Sequence, residues 1–229
     1  MRLQAVTYGA QDPELLARFW AGMLERDIVV DDDGMLLPGA DGQLGLRFEA
    51  DDAPPQPRHR MHLHLTSTSL ADQQATVDRA CDLGARHLDV GQLPEDGHVV
   101  LADPAGFEFC VIEPGNGFLA GTGALGEVSG DGTRAVGYFW SAALGWPLVW
   151  DRGDQTVIQA PGGGTKVSWD VWPEHFRGGA DQQRLELVTD SGALDAEIDS
   201  LVRLGATHLR TTDGAALLAD PDGSEFRLR

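Results

Sequence analysis

The sequence predicts an α+β protein of four βαβββ units, paired into two curled mixed β-sheets with their helices outside. Three duplications carry that expectation. LADPAGFEF (101–109) returns as LADPDGSEF (218–226), CDLGARHL (81–88) as VRLGATHL (202–209), and ARFWAGML (17–24) as GYFWSAAL (137–144). With MHLHLTST from Met61 and RLELVTDS from Arg184 added, the block 60–112 recurs as 184–228. The chain therefore runs first half-unit, second half-unit, first half-unit, second half-unit, and internal repetition of this kind sets an architecture before any single motif does.

In the first half-unit QAVTYG alternates as a strand does. Asp12-Pro13-Glu14 then supplies a helix cap, a proline at the first helical position and an early carboxylate. Leu15, Leu16, Phe19, Trp20, Met23 and Leu24 follow at helical spacing. Strands are expected around 28–30, 35–37 and 44–49. The second half-unit opens with a strand at 61–66, continues in a helix from about Ser69 to Gly84, and closes with strands near His87, Val99 and Phe109. Gly84 and its counterpart Gly205 are expected helix stops with positive φ. In the last helix Leu194, Ile198, Leu201 and Leu204 are expected to form the buried stripe. Asp103-Pro104-Ala105-Gly106 and Asp220-Pro221-Asp222-Gly223 read as hairpin corners, in which aspartate bonds the backbone ahead, proline presets φ and glycine tolerates the exit. APPQPRH (53–59) and PGNGFLAGTG (114–123) read as linkers, giving domains at 1–114 and 115–229.

With 229 residues and 42% hydrophobic content the chain can bury a substantial core. Thirty-six acidic against 17 basic side chains, a formal charge of −19, argue against nucleic acid or an anionic membrane as partner, since either needs a basic surface. That acidity suits solubility, or a field attracting cationic small molecules. Two cysteines, Cys81 and Cys110, form neither a metal-finger spacing nor a disulfide framework, so a reducing cytoplasm is the expected location. Both read as packing residues. No apolar run approaches a membrane span. A monomer or homodimer with a small-molecule partner is expected.

Strand alternation sorts the polar residues by face. Arg60, His62 and His64 oppose Met61, Leu63 and Leu65. Arg47 and Glu49 oppose Leu46 and Phe48, and Glu108, Cys110 and Ile112 oppose Phe109 and Val111. Helices must cover the apolar faces, so Arg47, Glu49, His62, His64 and Glu108 could line one concave cleft. An antiparallel sheet with one solvated face would show the same alternation. Trp146, Trp150, Trp169 and Trp172, with Phe176, could furnish an aromatic ligand pocket, whereas Trp20 and Trp140 read as packing helix on sheet. His87 and His208 are inherited by duplication and suit packing or the surface equally. Gly162-Gly163-Gly164 with Lys166 lacks the spacing of a phosphate-binding loop and reads as a hairpin turn.

Four βαβββ units in this order, with Phe-Trp on the first helix, Gly-Ala after the second and a closing D-P-x-G-x-E-F hairpin, resemble the vicinal oxygen chelate superfamily of glyoxalase I, extradiol dioxygenases and the bleomycin- and fosfomycin-resistance proteins. The similarity is greatest to its glyoxalase-like actinobacterial branch and covers nearly the whole chain. It implies a metal position supplied by the first and last strands of each half-unit. Carried over here, those positions fall at Ala5, Glu49, His62 and Glu108, with alanine where metal-binding members have histidine. His64 would have to be recruited as a second imidazole. In the second copy the matching positions are Asp170, Glu186 and Glu225, a set suited to magnesium or calcium or to neutralisation by Arg184 and Arg227.

Two functional readings follow. The first is a metal-independent small-molecule-binding protein, with Arg47, His62, His64, Glu108, Trp146, Trp150, Trp169 and Trp172 as ligand-binding residues; Ala5 favours it. The second is a lyase, isomerase or dioxygenase acting on vicinal oxygens. It would use zinc, nickel, manganese or iron on Glu49, His62 and Glu108, with Glu108 or Glu49 also moving the proton.

Overall fold

The computed structural model describes residues 1–40, 42–54, 59–93, 95–171, 182–189 and 194–229. The first unit comprises β1 (Arg2–Ala10), α1 (Pro13–Leu24), β2 (Val29–Asp31), β3 (Gly34–Leu37) and β4 (Gly45–Ala50). The second comprises β5 (Met61–Leu65), α2 (Leu70–Asp82), β6 (Arg86–His87), β7 (Val99–Ala102) and β8 (Glu108–Val111). The third comprises β9 (Leu125–Asp131), α3 (Arg134–Leu144), β10 (Leu148–Arg152), β11 (Gln155–Gln159) and β12 (Lys166–Asp170). The fourth comprises β13 (Gln183–Val188), α4 (Leu194–Leu204), β14 (Thr207–Thr212), β15 (Ala215–Ala219) and β16 (Glu225–Leu228).

Local chemistry accounts for the element ends. Asp12 accepts the Leu15 N–H at 2.9 Å with Pro13 behind it, and α1 leaves through Glu25 in the left-handed region. Ser69 caps α2 through the Asp72 N–H at 3.1 Å. The duplicated corners are one device built twice. Asp103 accepts the N–H groups of Ala105 and Phe107, and Asp220 those of Asp222 and Ser224, all at 3.0 Å. In both corners the glycine, Gly106 or Gly223, takes positive φ.

The strands form two eight-stranded mixed sheets. One has the order β14-β15-β16-β13-β1-β4-β3-β2, the other β10-β11-β12-β9-β5-β8-β7-β6. Unit one therefore joins unit four through antiparallel β1 and β13, with Ala5 opposite Glu186. Unit two joins unit three through β5 and β9, with His64 opposite Glu127. The helices pair the other way, α1 with α2 and α3 with α4. Each half of the chain is thus tied to itself by helices and to the other half by backbone hydrogen bonds.

Apolar strand faces and inner helix stripes merge into one core around Phe19, Trp20, Phe48, Phe109, Trp140 and Phe226. Burying side chains of this size, worth roughly 1.5–3 kcal/mol each, is the main force holding helices to sheets. Loops of the two sheets approach closely where Thr165 N–H donates to the Gly42 carbonyl at 3.1 Å. A Cβ on Gly164 would stand 2.0 Å from that carbonyl oxygen, so only glycine fits. Two expectations need correction. Leu204 is 41% exposed, because α4 buries only Ile198 and Leu201 fully before its last turn leaves the core. Cys81 is exposed rather than packed. The Gly162 region is a turn, as expected.

Candidate functional site

Pairing β5 with β8 on one side and β9 on the other, and β9 with β12, lines up Cys110, His64, Glu127 and Lys166 as one row across the second sheet. His64 Nδ1 lies 2.7 Å from Glu127 Oε2, with only 18% and 4% of the two side chains exposed. On the same strand His62 presents its ring 4.8 Å from that of His64, as the two-residue repeat requires. The ligand atoms of His62, His64 and Cys110 all fall within 4.8 Å of one another, an arrangement that could hold a metal ion.

The two imidazoles are driven apart electrostatically. Burial, with the neighbouring His64 and His98, pushes His62 down to about 3 and keeps it neutral. Burial pulls on His64 too, but contacts to Cys110 and Glu127 outweigh it and raise that imidazole to about 10. One ring is thus a neutral donor or ligand and the other a cation held against a carboxylate.

Above this row lies a cavity of about 280 Å³ lined by His64, Ile112, Asn116, Phe118, Leu119, Glu127 and Gln155. Its roof is the segment between the two repeats. Asn116 caps that segment through the Phe118 and Leu119 N–H groups, at 3.1 and 3.2 Å. Lys166 Nζ donates to the Phe118 carbonyl and sits 4.3 Å from the centre of its ring. Trp150 meets Phe118 edge-on at 6.1 Å. A smaller apolar cluster of Val100, Cys110, Ile112 and Leu119, separate from the main core, joins roof to floor. A further cavity of about 170 Å³, between α1 and the 103–107 corner, has mainly apolar walls such as Leu15, Pro104 and Phe107 and no comparable cluster of polar side chains.

The corresponding face of the first sheet is filled by ions. Arg47, wholly buried, pairs with Asp31 at 2.6 Å and lies 2.9 Å from buried Glu186, outside hydrogen-bonding geometry for that nitrogen. Arg229 reaches Glu186 at 2.7 Å and also pairs with Asp33. Arg227 forks onto Glu49, with Arg184 at 4.0 Å from the same carboxylate. The expected neutralisation by Arg184 and Arg227 is present, directed at Glu49.

The residues singled out in the sequence separate accordingly. Arg47 and Glu49 lie in the first sheet and His62, His64 and Glu108 in the second, so they do not line one cleft. Asp170 sits on β12, in a different sheet from Glu186 and Glu225, so the proposed carboxylate set is divided. Glu108 is half-buried on β8, and its carboxylate is outside the His62, His64 and Cys110 cluster. Trp150 borders the roof. Trp146 packs partly buried against the core, and Trp169, 5% exposed, stacks on Trp140. Trp172 and Phe176 lie outside the described residues. Cys110 and Glu127 are the residues sequence reasoning missed. Cys110 shares the polar face of Glu108 two positions on, which was a usable signal; nothing local marked Glu127.

A family model described as a glyoxalase-like domain matches residues 5–112 and again 128–229. Glyoxalase I from Zea mays is 13% identical and superposes over 99% of this chain and 91% of its own, with a TM-score of 0.67. A glyoxalase/bleomycin resistance protein/dioxygenase family enzyme from Burkholderia phytofirmans PsJN, 16% identical, covers 44% of this chain and 94% of its own at a TM-score of 0.38. No curated protein matches.

Proposed function

The chain belongs to the glyoxalase-like domain family of the vicinal oxygen chelate superfamily, and on that premise we propose that it binds a small molecule in the cavity over His64 and Glu127. One observation carries this reading. A charge-assisted pair at 2.7 Å lines a space of about 280 Å³ whose other walls include Ile112, Phe118 and Leu119. Apolar walls with a few convergent polar groups are what small-molecule sites need, because burial supplies affinity and the polar groups supply orientation. The ligand is a compact, partly apolar molecule with a hydrogen-bond acceptor for His64 or Gln155. Phe118 and Trp150 supply aromatic surface at the mouth.

The test is a thermal-shift screen of small acceptor-bearing molecules in chelator. Hits should lose at least about tenfold in affinity in Phe118→Ala and in His64→Gln, as expected when a buried contact worth about 1.4 kcal/mol is removed. Hits indifferent to both substitutions would refute the assignment.

A second reading is favoured by the 4.8 Å convergence of His62, His64 and Cys110. Ala5, which argued for a metal-free protein, lies in the other sheet opposite Glu186 and has no bearing on this cluster. Two imidazoles and a thiol are a recognised donor set for a divalent ion, and Glu127 on His64 Nδ1 is the carboxylate that orients a ligating histidine. When bound, such an ion would polarise a ligand oxygen entering from the cavity. His64 would orient that ligand, and the apolar roof would exclude water.

A further inference from the structure

We propose that the His62, His64 and Cys110 cluster takes a thiophilic ion of the zinc(II) or cobalt(II) class and discriminates against hard, oxygen-seeking cations, with Cys110 as the deciding ligand. This deepens the second reading above and stands or falls separately from small-molecule binding.

The argument begins with the chemistry of the donors. Magnesium and calcium require oxygen ligands, whereas imidazole and thiolate suit zinc, cobalt and their neighbours. The carboxylates that could have offered a hard site are used elsewhere or lie elsewhere. Glu49 and Glu186 are held by arginines in the first sheet, and Glu127 is held by His64. What remains at the cluster is two nitrogens and a sulfur.

Geometry agrees with the chemistry. Zinc bonds of about 2.0 Å to nitrogen and about 2.3 Å to sulfur place tetrahedral ligand atoms roughly 3.3–3.8 Å apart. Donor atoms already within 4.8 Å reach that spacing by small side-chain rotations, with no movement of the paired strands. Glu127 occupies His64 Nδ1, leaving Nε2 as the ligating nitrogen. Cys110 is 5% exposed, so few waters compete for its sulfur. The adjoining cavity leaves the fourth position open. On binding, the Cys110 proton passes to solvent as sulfur takes the ion.

The experiment uses the full chain with Cys81→Ser as background, so that Cys110 is the sole thiol. Chelator-treated protein is titrated with zinc(II), cobalt(II), manganese(II) and magnesium(II), following melting temperature and near-ultraviolet absorption. Zinc and cobalt should raise the melting temperature at concentrations where manganese and magnesium do not, since an ion that binds only the folded state stabilises it. The cobalt complex should show a sulfur-to-cobalt charge-transfer band. Cys110→Ser should abolish the band, His64→Ala should abolish the thermal response, and Glu127→Gln should weaken binding about 10- to 100-fold while keeping the band. No response to zinc or cobalt, an equal response to manganese, or a cobalt complex without the band would overturn the proposal. So would a zinc response surviving in His64→Ala. The band is read in protein that retains Cys110, so misfolding of Cys110→Ser cannot rescue or sink the idea.

Discussion

The indole nitrogen of Trp20 donates to the Asp103 carboxylate at 3.1 Å, joining a helix of the first unit to a hairpin corner of the second. Their counterparts Trp140 and Asp220 lie close in the same way, but that indole forms no hydrogen bond among the described residues. Both indoles are buried, at 1% exposure, so substitution by phenylalanine removes similar volume from each. Trp20→Phe should therefore destabilise more than Trp140→Phe, by about 1–2 kcal/mol, because it leaves a buried carboxylate oxygen without its donor. Equal losses in urea denaturation would exclude that contribution.

Burial, against the bonds from Trp20 and the corner amides, raises Asp103 from 3.8 to about 7. A folded-state value above the unfolded one means the folded chain holds more protons between those limits. Its contribution to stability is therefore full below the lower limit and is lost as pH rises through the upper one. Asp103→Asn should flatten this part of the stability profile. Asp220, raised to about 6, should act the same way over a narrower range. Urea midpoints across this range, compared with wild type, decide the point; an unchanged slope in Asp103→Asn would contradict it.

Arg47 and Glu186 are each 0% exposed. Removing one partner, as in Arg47→Ala or Glu186→Gln, should cost about 3–5 kcal/mol by stranding a buried charge or its partners. Arg47→Met combined with Glu186→Leu should cost less than either single change, since apolar side chains need no counter-ion. A double variant as unstable as the sum of the singles would show that the network also sets the geometry of the first sheet.

Lys166 holds the cavity roof through the carbonyl and ring of Phe118. Lys166→Met should lower stability by only about 0.5–1 kcal/mol yet shift the emission of Trp150, which abuts Phe118. The shift should vanish when Trp150→Phe is added. A spectrum unchanged by Lys166→Met would mean that the apolar contacts of Leu119 suffice to hold the segment.

Much of the molecule was legible in order and period. Alternation placed His62 and His64 on one face, and both are at the cluster. The caps at Asp12 and Ser69 are where their residue types put them. Glu49 and Glu108 were drawn to the candidate site by position within their half-units, yet Glu49 is consumed by Arg227 in the other sheet. Cys110 was assigned to packing because a lone strand cysteine usually packs; its neighbours His64 and Glu127 change that reading, and they come from other strands.

The sequence by itself determined the four units, their corners and the polar and apolar face of each strand, because these follow from turn chemistry and a two-residue period acting over a few neighbours. Only the tertiary structure decided which units share a sheet. Strand pairing is made by backbone groups common to every residue, between segments far apart in the chain, and local side-chain pattern does not encode the partner. Joining unit two to unit three brought His64 of one half against Glu127 of the other, while joining unit one to unit four put Ala5 opposite Glu186 and filled that face with ion pairs. Since the two rows of side chains are sorted by those pairings, the candidate site came into being at the sheet and not within either repeat.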